Sequence, residues 1–256
     1  MNKTITTTIQ LLLALTTLNV WGQSNERAAD IILINSSGQK CEVEQVINNL
    51  EKCNPTIIGL NELLTVNENK LCDDKLLNAI EKSGKIILVE GLNSKLSDES
   101  FYVKALYTGE TGLASQDGAM TDFYYRIAEY KARYSFPFLV ALHYDKSKQV
   151  QLASKSYPKY YPLKTATEYA NFTTLNPSDI LKNCKTIKDK IILVGNLSSD
   201  SSDTYVINIG NNQSKKVYGT ILQANVILEI LKDLDTPDVK VNQYSDMIRK
   251  KNLEKN

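Results

Sequence analysis

Four short aliphatic runs punctuate the chain: Ile31 to Ile34 between Asp30 and Asn35, Ile57 to Leu60 between Thr56 and Asn61, Ile86 to Val89 between Lys85 and Glu90, and Ile191 to Val194 between Lys190 and Gly195. None alternates with polar residues, which is the pattern of strands buried on both faces. Between the runs the period changes. Val43, Val46, Ile47 and Leu50 fall at i, i+3, i+4 and i+7, which predicts a helix over residues 42–52, stopped by Asn54-Pro55. Asp73 to Lys82 predicts a second helix with Leu76, Ala79 and Ile80 inward. After the fourth run comes a polar loop, then a third amphipathic helix carried by Ile221, Ala224, Leu228 and Leu231 and ending near Leu234.

Strands alternating with helices over short links predict a parallel sheet with right-handed crossovers. The fold class is therefore α/β: a mainly parallel β-sheet flanked by helices, with an irregular α+β insertion at about 91–185. Inside the insertion, SQDGAM (115–120) reads as a turn and FPFLVALHY (136–144) as a buried helix. Val150–Leu152 and Tyr169–Leu175 read as strands, and Asn176-Pro177 opens a short helix. The pentapeptide KIILV stands at 85–89 and again at 190–194, but the flanks differ. That marks two equivalent central strands and no true repeat.

With 42% hydrophobic and 23% charged residues, the 256-residue chain can bury a full core. Residues 1–22 are a different material, with Lys3 as a minimal positive start, an apolar and Thr-rich run from Ile5 to Leu18, and Val20-Trp21-Gly22 before Gln23. This is the pattern of a secretory signal peptide, too short and too interrupted to span a bilayer. A single domain over 23–235 and a charged tail over 236–256 follow, and no later window is apolar enough for an integral membrane segment. Localisation is read as secreted or periplasmic. Lys3 is the only charged residue before Gln23, so beyond it 29 basic residues face 29 acidic ones. No field remains that would recruit nucleic acid.

Export gives meaning to Cys41, Cys53, Cys72 and Cys184, which allow two disulfides in three connectivities. Cys41 and Cys72 follow strands and lie at the carboxyl edge of the sheet, whereas Cys53 and Cys184 precede strands and lie at the amino edge. A bridge closes only within about 7 Å between Cα atoms. The pairing expected is Cys41–Cys72 with Cys53–Cys184, since a helix of about 11 residues holds Cys41 and Cys53 roughly 16 Å apart. No CxxC occurs and the single His143 is remote from all four, so no metal site is read.

Ligands of open parallel sheets bind outside the carboxyl ends of the strands, at the topological switch point. The residues there are Asn35, Asn61, Glu62, Glu90, Asn196 and Ser198, with Ser199 and Asp200 beyond, and they are the candidate ligand site. The competing reading is that polar residues end strands wherever chains emerge into water. Nucleotide-binding, serine-hydrolase and zinc-protease motifs are absent from the sequence, and His143 sits in an apolar helix as a packing residue. Glu62 and Glu90 could pair across adjacent strands, which by itself names no reaction. Tyr157-Pro-Lys-Tyr160-Tyr161-Pro reads as a rigid loop over the sheet.

Taken in order, IILINSS, NNLEKCNPTIIGLNE, DDKLLNAIEKSGKIILVE, SQDGAMTD before YSFPFLVALHYD, IKDKIILVGN and YGTILQANVILEIL resemble the CHASE domain, type 2, from about residue 30 to 234. The resemblance implies an extracytoplasmic sensory module that binds a small ligand or an envelope protein partner, with no catalysis and no cofactor. Members usually carry acidic residues at the ends of the first two strands, where this chain has Asn35 and Asn61, and an Arg before the first helix, where it has Lys40. Members are also usually followed by membrane helices and a cytoplasmic output domain. An exported hydrolase or transferase using Glu62 or Glu90, and an envelope assembly protein, are the alternatives. Ligand-dependent stabilisation that survives Glu62→Gln and Glu90→Gln separates binding from turnover.

Overall fold

The computed structural model describes residues 27–64, 69–92, 95–96, 98–116, 119–123, 126–127, 133–145, 161–162, 170–199, 201–210 and 213–235. The leader, the strand expected at 150–152, most of the Tyr-Pro cluster, Asp200 and the tail lie outside them. In chain order come β1 (Ile31–Asn35), α1 (Lys40–Cys53), β2 (Ile57–Leu60), α2 (Lys70–Ser83), β3 (Ile86–Val89), α3 (Glu99–Tyr102) and β4 (Tyr107–Gly109). β5 (Leu113–Gln116), β6 (Ala119–Phe123), α4 (Phe136–Tyr144), β7 (Thr173–Leu175) and α5 (Cys184–Ile187) follow. β8 (Ile191–Gly195), β9 (Thr204–Gly210), β10 (Gln213–Tyr218) and α6 (Gly219–Asp235) complete the fold.

The aliphatic runs serve two cores at once, because successive residues of a strand point to opposite faces. Ile31, Leu33, Ile57, Ile87, Val89, Ile191 and Leu193 join Phe136, Phe138, Val140, Ala224, Ile227 and Leu231 of α4 and α6. Ile32, Ile34, Ile58, Leu60, Ile86, Leu88, Ile192 and Val194 join Val43, Ile47, Leu50, Leu76 and Ile80 of α1 and α2. The result is a helix–sheet–helix sandwich, which explains why no run alternates.

The main sheet has six strands, all parallel, in the order β7-β1-β8-β2-β3-β4. β8 enters late in the chain yet pairs with both β1 and β2, so the carboxyl ends of β1, β8 and β2 form the switch in strand order. The expected strand at 169–175 contracts to Thr173–Leu175. Ala170 and Phe172 turn to the α6 side, where the Ala170 amide donates to Asn225 Oδ1 at 3.0 Å.

The segment between β8 and α6, read from sequence as a polar loop, contains the hairpin β9–β10. β9 also pairs in parallel with β6, giving a second, smaller mixed sheet. Tyr205, Ile207 and Val217 of this sheet close on Leu222 of α6. The second sheet thus draws on residues outside the insertion window of 91–185.

Cys41 is bonded to Cys72 and Cys53 to Cys184, with Cα separations of 5.0 and 4.5 Å. The first bridge ties α1 to α2 and the second ties the end of α1 to α5. Among the described residues no helix is long and apolar enough to cross a membrane.

Candidate functional site

Beyond Leu60 the chain leaves β2 through Asn61 and Glu62, which stay buried at 1% and 8% exposure. Asn61 Nδ2 donates to Asp203 Oδ2 at 2.7 Å and lies 3.1 Å from Thr220 Oγ1. Asp203 immediately precedes β9, and Thr220 lies in the first turn of α6, so three separate segments meet at one amide. Gly219 is required by this approach: a Cβ there would stand 2.2 Å from Asp203 Oδ2, and the Gly219 amide donates to the Asp203 carbonyl at 2.9 Å. Gly195 makes the same room for Thr220 at the end of β8.

On the other side of β2 the Glu62 carboxyl rests against Gly38, whose φ of +76° glycine tolerates without strain. A Cβ at residue 38 would reach 3.0 Å from Glu62 Oε2. The loop is held by Glu42 in the first turn of α1, which accepts from the amide and hydroxyl of Ser37 at 2.7 Å each.

Burial raises the Glu62 carboxyl to about 8, with the charges of Asp203 and Glu42 adding to the effect. Burial likewise raises Asp203 to about 6, while the Asn61 amide and the nearby Tyr205 hydroxyl pull the other way. Burial first, then Asp203, raises Tyr205. At neutral pH the pair therefore carries about one negative charge. Asn61 Oδ1, Glu62 Oε1 and Asp203 Oδ1 are buried without a hydrogen-bond partner among the described residues. Buried polar atoms are rarely left so, and the Tyr205 hydroxyl, Ser135 Oγ and Gln223 Oε1 share that condition.

The remaining expected site residues have hydrogen-bond partners of their own. Asn35 Oδ1 accepts from the Leu197 amide at 2.9 Å, and Asn196 Oδ1 accepts from the amide and hydroxyl of Ser198. Asn35 and Asn196 thus hold loop backbone, as ordinary strand ends do, and Ser198 is held by Asn196. Glu90 Oε1 accepts from Thr108 Oγ1 at 2.6 Å, and its carbonyl accepts from Tyr102. The charged neighbours that raise Glu62, after burial itself, are Asp203 and Glu42. Lys40 is bound to Asp73 and lies 5.7 Å above the Phe101 ring, fastening α1 to α2. His143 stacks on Tyr107 with ring centroids 4.4 Å apart.

Asp203, Thr220 and Gly219 were not singled out from sequence. The signal available was the β-branched and aromatic run Thr204 to Ile207 followed by Gly210-Asn-Asn, a hairpin pattern that would have placed Asp203 at a strand start. Among the described residues no cluster of His, Cys, Asp and Glu could hold a metal ion.

The model of the CHASE2 domain matches residues 39–248, which takes in Asn61, Glu62, Asp203, Gly219 and Thr220. No curated protein and no solved structure matches the chain.

Proposed function

The chain belongs to the CHASE2 domain family, a family of extracytoplasmic sensory modules, and from that premise we propose that it binds a small ligand where β2, β9 and α6 meet, without turning it over. The observation that carries this is the set of three unpartnered acceptor atoms on Asn61, Glu62 and Asp203, buried at the switch in strand order. A core position would satisfy such atoms or replace them with carbon. Two disulfides suit an oxidising compartment. We place the mature chain outside the cytoplasm, secreted or periplasmic, after removal of residues 1–22, with an envelope protein as the partner that receives the signal.

An exported enzyme would call on Glu62 or Glu90 as acid or base. The engagement of Glu90 by Thr108 weighs against its use as a free acid or base. A thermal-shift screen of small polar metabolites tests the proposal. A ligand at about 100 times its Kd stabilises by about 2.7 kcal/mol, and Asn61→Ala removes that gain. A gain untouched by both Asn61→Ala and Thr220→Val contradicts the site.

A further inference from the structure

We propose that the amino edge of the main sheet is a docking face for an anionic phospholipid surface, holding the domain with its carboxyl rim turned toward open solvent. The face lies at the opposite end of the strands from Asn61 and does not depend on the ligand site there.

A net charge of +1 over the whole chain conceals a separation of charge within it. The carboxyl rim carries Glu42, Glu62, Asp73, Glu90, Asp98 and Asp203, against Lys70 and a Lys40 already bound to Asp73. The amino edge is basic. Lys52, Lys82, Lys85, Lys182, Lys185 and Lys188 converge there on the last turn of α1. The Cys53–Cys184 bridge, with a Cα separation of 4.5 Å, sets Lys52 beside Lys182 and Lys185. The Asp189 amide donates to the Asn54 carbonyl at 3.2 Å, which brings Lys188 to the same point, and Lys85 Nζ donates to Asn54 Oδ1 at 2.8 Å. Ser83 Oγ donates to Glu51 Oε1 at 2.6 Å and brings in Lys82.

Carboxylates share this ground without cancelling it. Glu81 is taken by Lys104 and Asp30 by Lys190, at 2.7 Å each, and Asp179 stands 3.9 Å from Lys182. Glu51 and Asp189 are the other two. Lys82, Lys185 and Lys188 are exposed, and their ammonium groups are paired with no carboxylate among the described residues.

Lysines in a last turn ordinarily offset the negative end of a helix dipole, which accounts for Lys52 and Lys82. It does not account for Lys182, Lys185 and Lys188, which ride on single turns. Nor does it account for Leu181, 50% exposed among them while Ile180 beside it is fully buried. A leucine held out to solvent amid lysines fits a surface that is anionic at its headgroups and apolar just beneath them. The ends of the chain favour a bilayer over an acidic protein. Residue 27 enters β1 from this edge, and α6 starts at the carboxyl rim with Gly219 and runs about 25 Å back across the sheet. The apolar run Ile5 to Leu18 and the cluster Arg249-Lys250-Lys251 therefore join the domain on its basic side. Near anionic headgroups the separation of charge orients the molecule, basic edge inward.

Sedimentation of the full chain with vesicles tests this, phosphatidylcholine alone against phosphatidylcholine with a third phosphatidylglycerol. The neutral vesicles read what the apolar leader contributes by itself. Expected is binding about a hundredfold tighter to the anionic vesicles, falling toward the neutral value as sodium chloride rises from about 0.05 to about 0.5 M. Lys182→Gln, Lys185→Gln and Lys188→Gln together weaken anionic binding by about tenfold or more. The charge-matched set Lys70→Gln, Lys215→Gln and Lys216→Gln, exposed elsewhere on the surface, changes it by less than about twofold. Leu181→Ser weakens it by about threefold at low and high salt alike. The salt series on the unaltered chain stands independently of every variant. Equal binding to the two kinds of vesicle overturns the proposal, and so do equal losses in the two triple variants. Capture by soluble polyglutamate without binding to vesicles overturns it as well and gives the face to an acidic protein.

Discussion

Asn61 and Asp203, 142 residues apart in sequence, are joined by a hydrogen bond of 2.7 Å from the Asn61 amide to the Asp203 carboxylate. One partner extends from a central strand and the other is delivered by the hairpin after β8. The bond therefore fixes the second sheet to the rim of the first. Asn61→Ala removes it and leaves a buried carboxylate oxygen and the Thr220 hydroxyl without that donor, at a cost of about 1–3 kcal/mol. Urea denaturation of the variant should show a lower midpoint with an unchanged slope.

Stability should fall as pH rises through the range set by Glu62. A carboxyl raised from 4.5 to about 8 by folding binds more protons folded than unfolded between those values. Its stabilising contribution is whole below pH 4.5 and is lost by about pH 8. Asp203, raised from 3.8 to about 6, adds a loss of the same sign at lower pH. Glu62→Gln should cancel the Glu62 portion, so the variant gains on the native chain by on the order of 3–5 kcal/mol between pH 4 and pH 9. Denaturation curves across that range check this, and parallel pH profiles for the two proteins would refute it.

Gly219→Ala should destabilise although alanine favours helix. The added Cβ would stand 2.2 Å from Asp203 Oδ2 and 2.4 Å from Oδ1. Asp203 is short, buried and held by Asn61, so the first turn of α6 must move. The expected cost is about 1–3 kcal/mol, read as a lowered Tm. Pairing the change with Asp203→Ala should recover part of it.

The two disulfides should differ in weight. Cys53–Cys184 closes 131 residues and Cys41–Cys72 closes 31. Loop-closure entropy assigns them about 5 and about 4 kcal/mol. Replacing both cysteines of each bridge by serine in turn and unfolding in urea checks the order: the Cys53/Cys184 variant should be the less stable.

The main sheet was legible because burial on both faces writes unbroken aliphatic runs, and runs such as Ile191 to Val194 have few other uses. The helices on its two faces were legible by period, and the sulfur pairing by which edge each cysteine occupies. The hairpin was written only faintly, in Thr204 to Ile207 and Gly210-Asn-Asn, since β9 is half solvated and Ser201, Ser202 and Asp203 before it look like any polar loop. Asn35, Asn196 and Ser198 carried the same signature as Asn61 yet bond within the loop that follows β8. What separates them is the partner, and Asp203 comes from the segment whose structure the hydrophobic pattern conceals.

The most direct test is hydrogen exchange by mass spectrometry on the full chain, with and without the strongest stabiliser from the thermal-shift screen. Ligand-induced protection should concentrate in residues 59–63, 203–207 and 219–223, the segments that meet at Asn61. Protection confined to the loops at Asn35 and Asn196, or to the amino edge around Cys53 and Cys184, would contradict the assignment of the site.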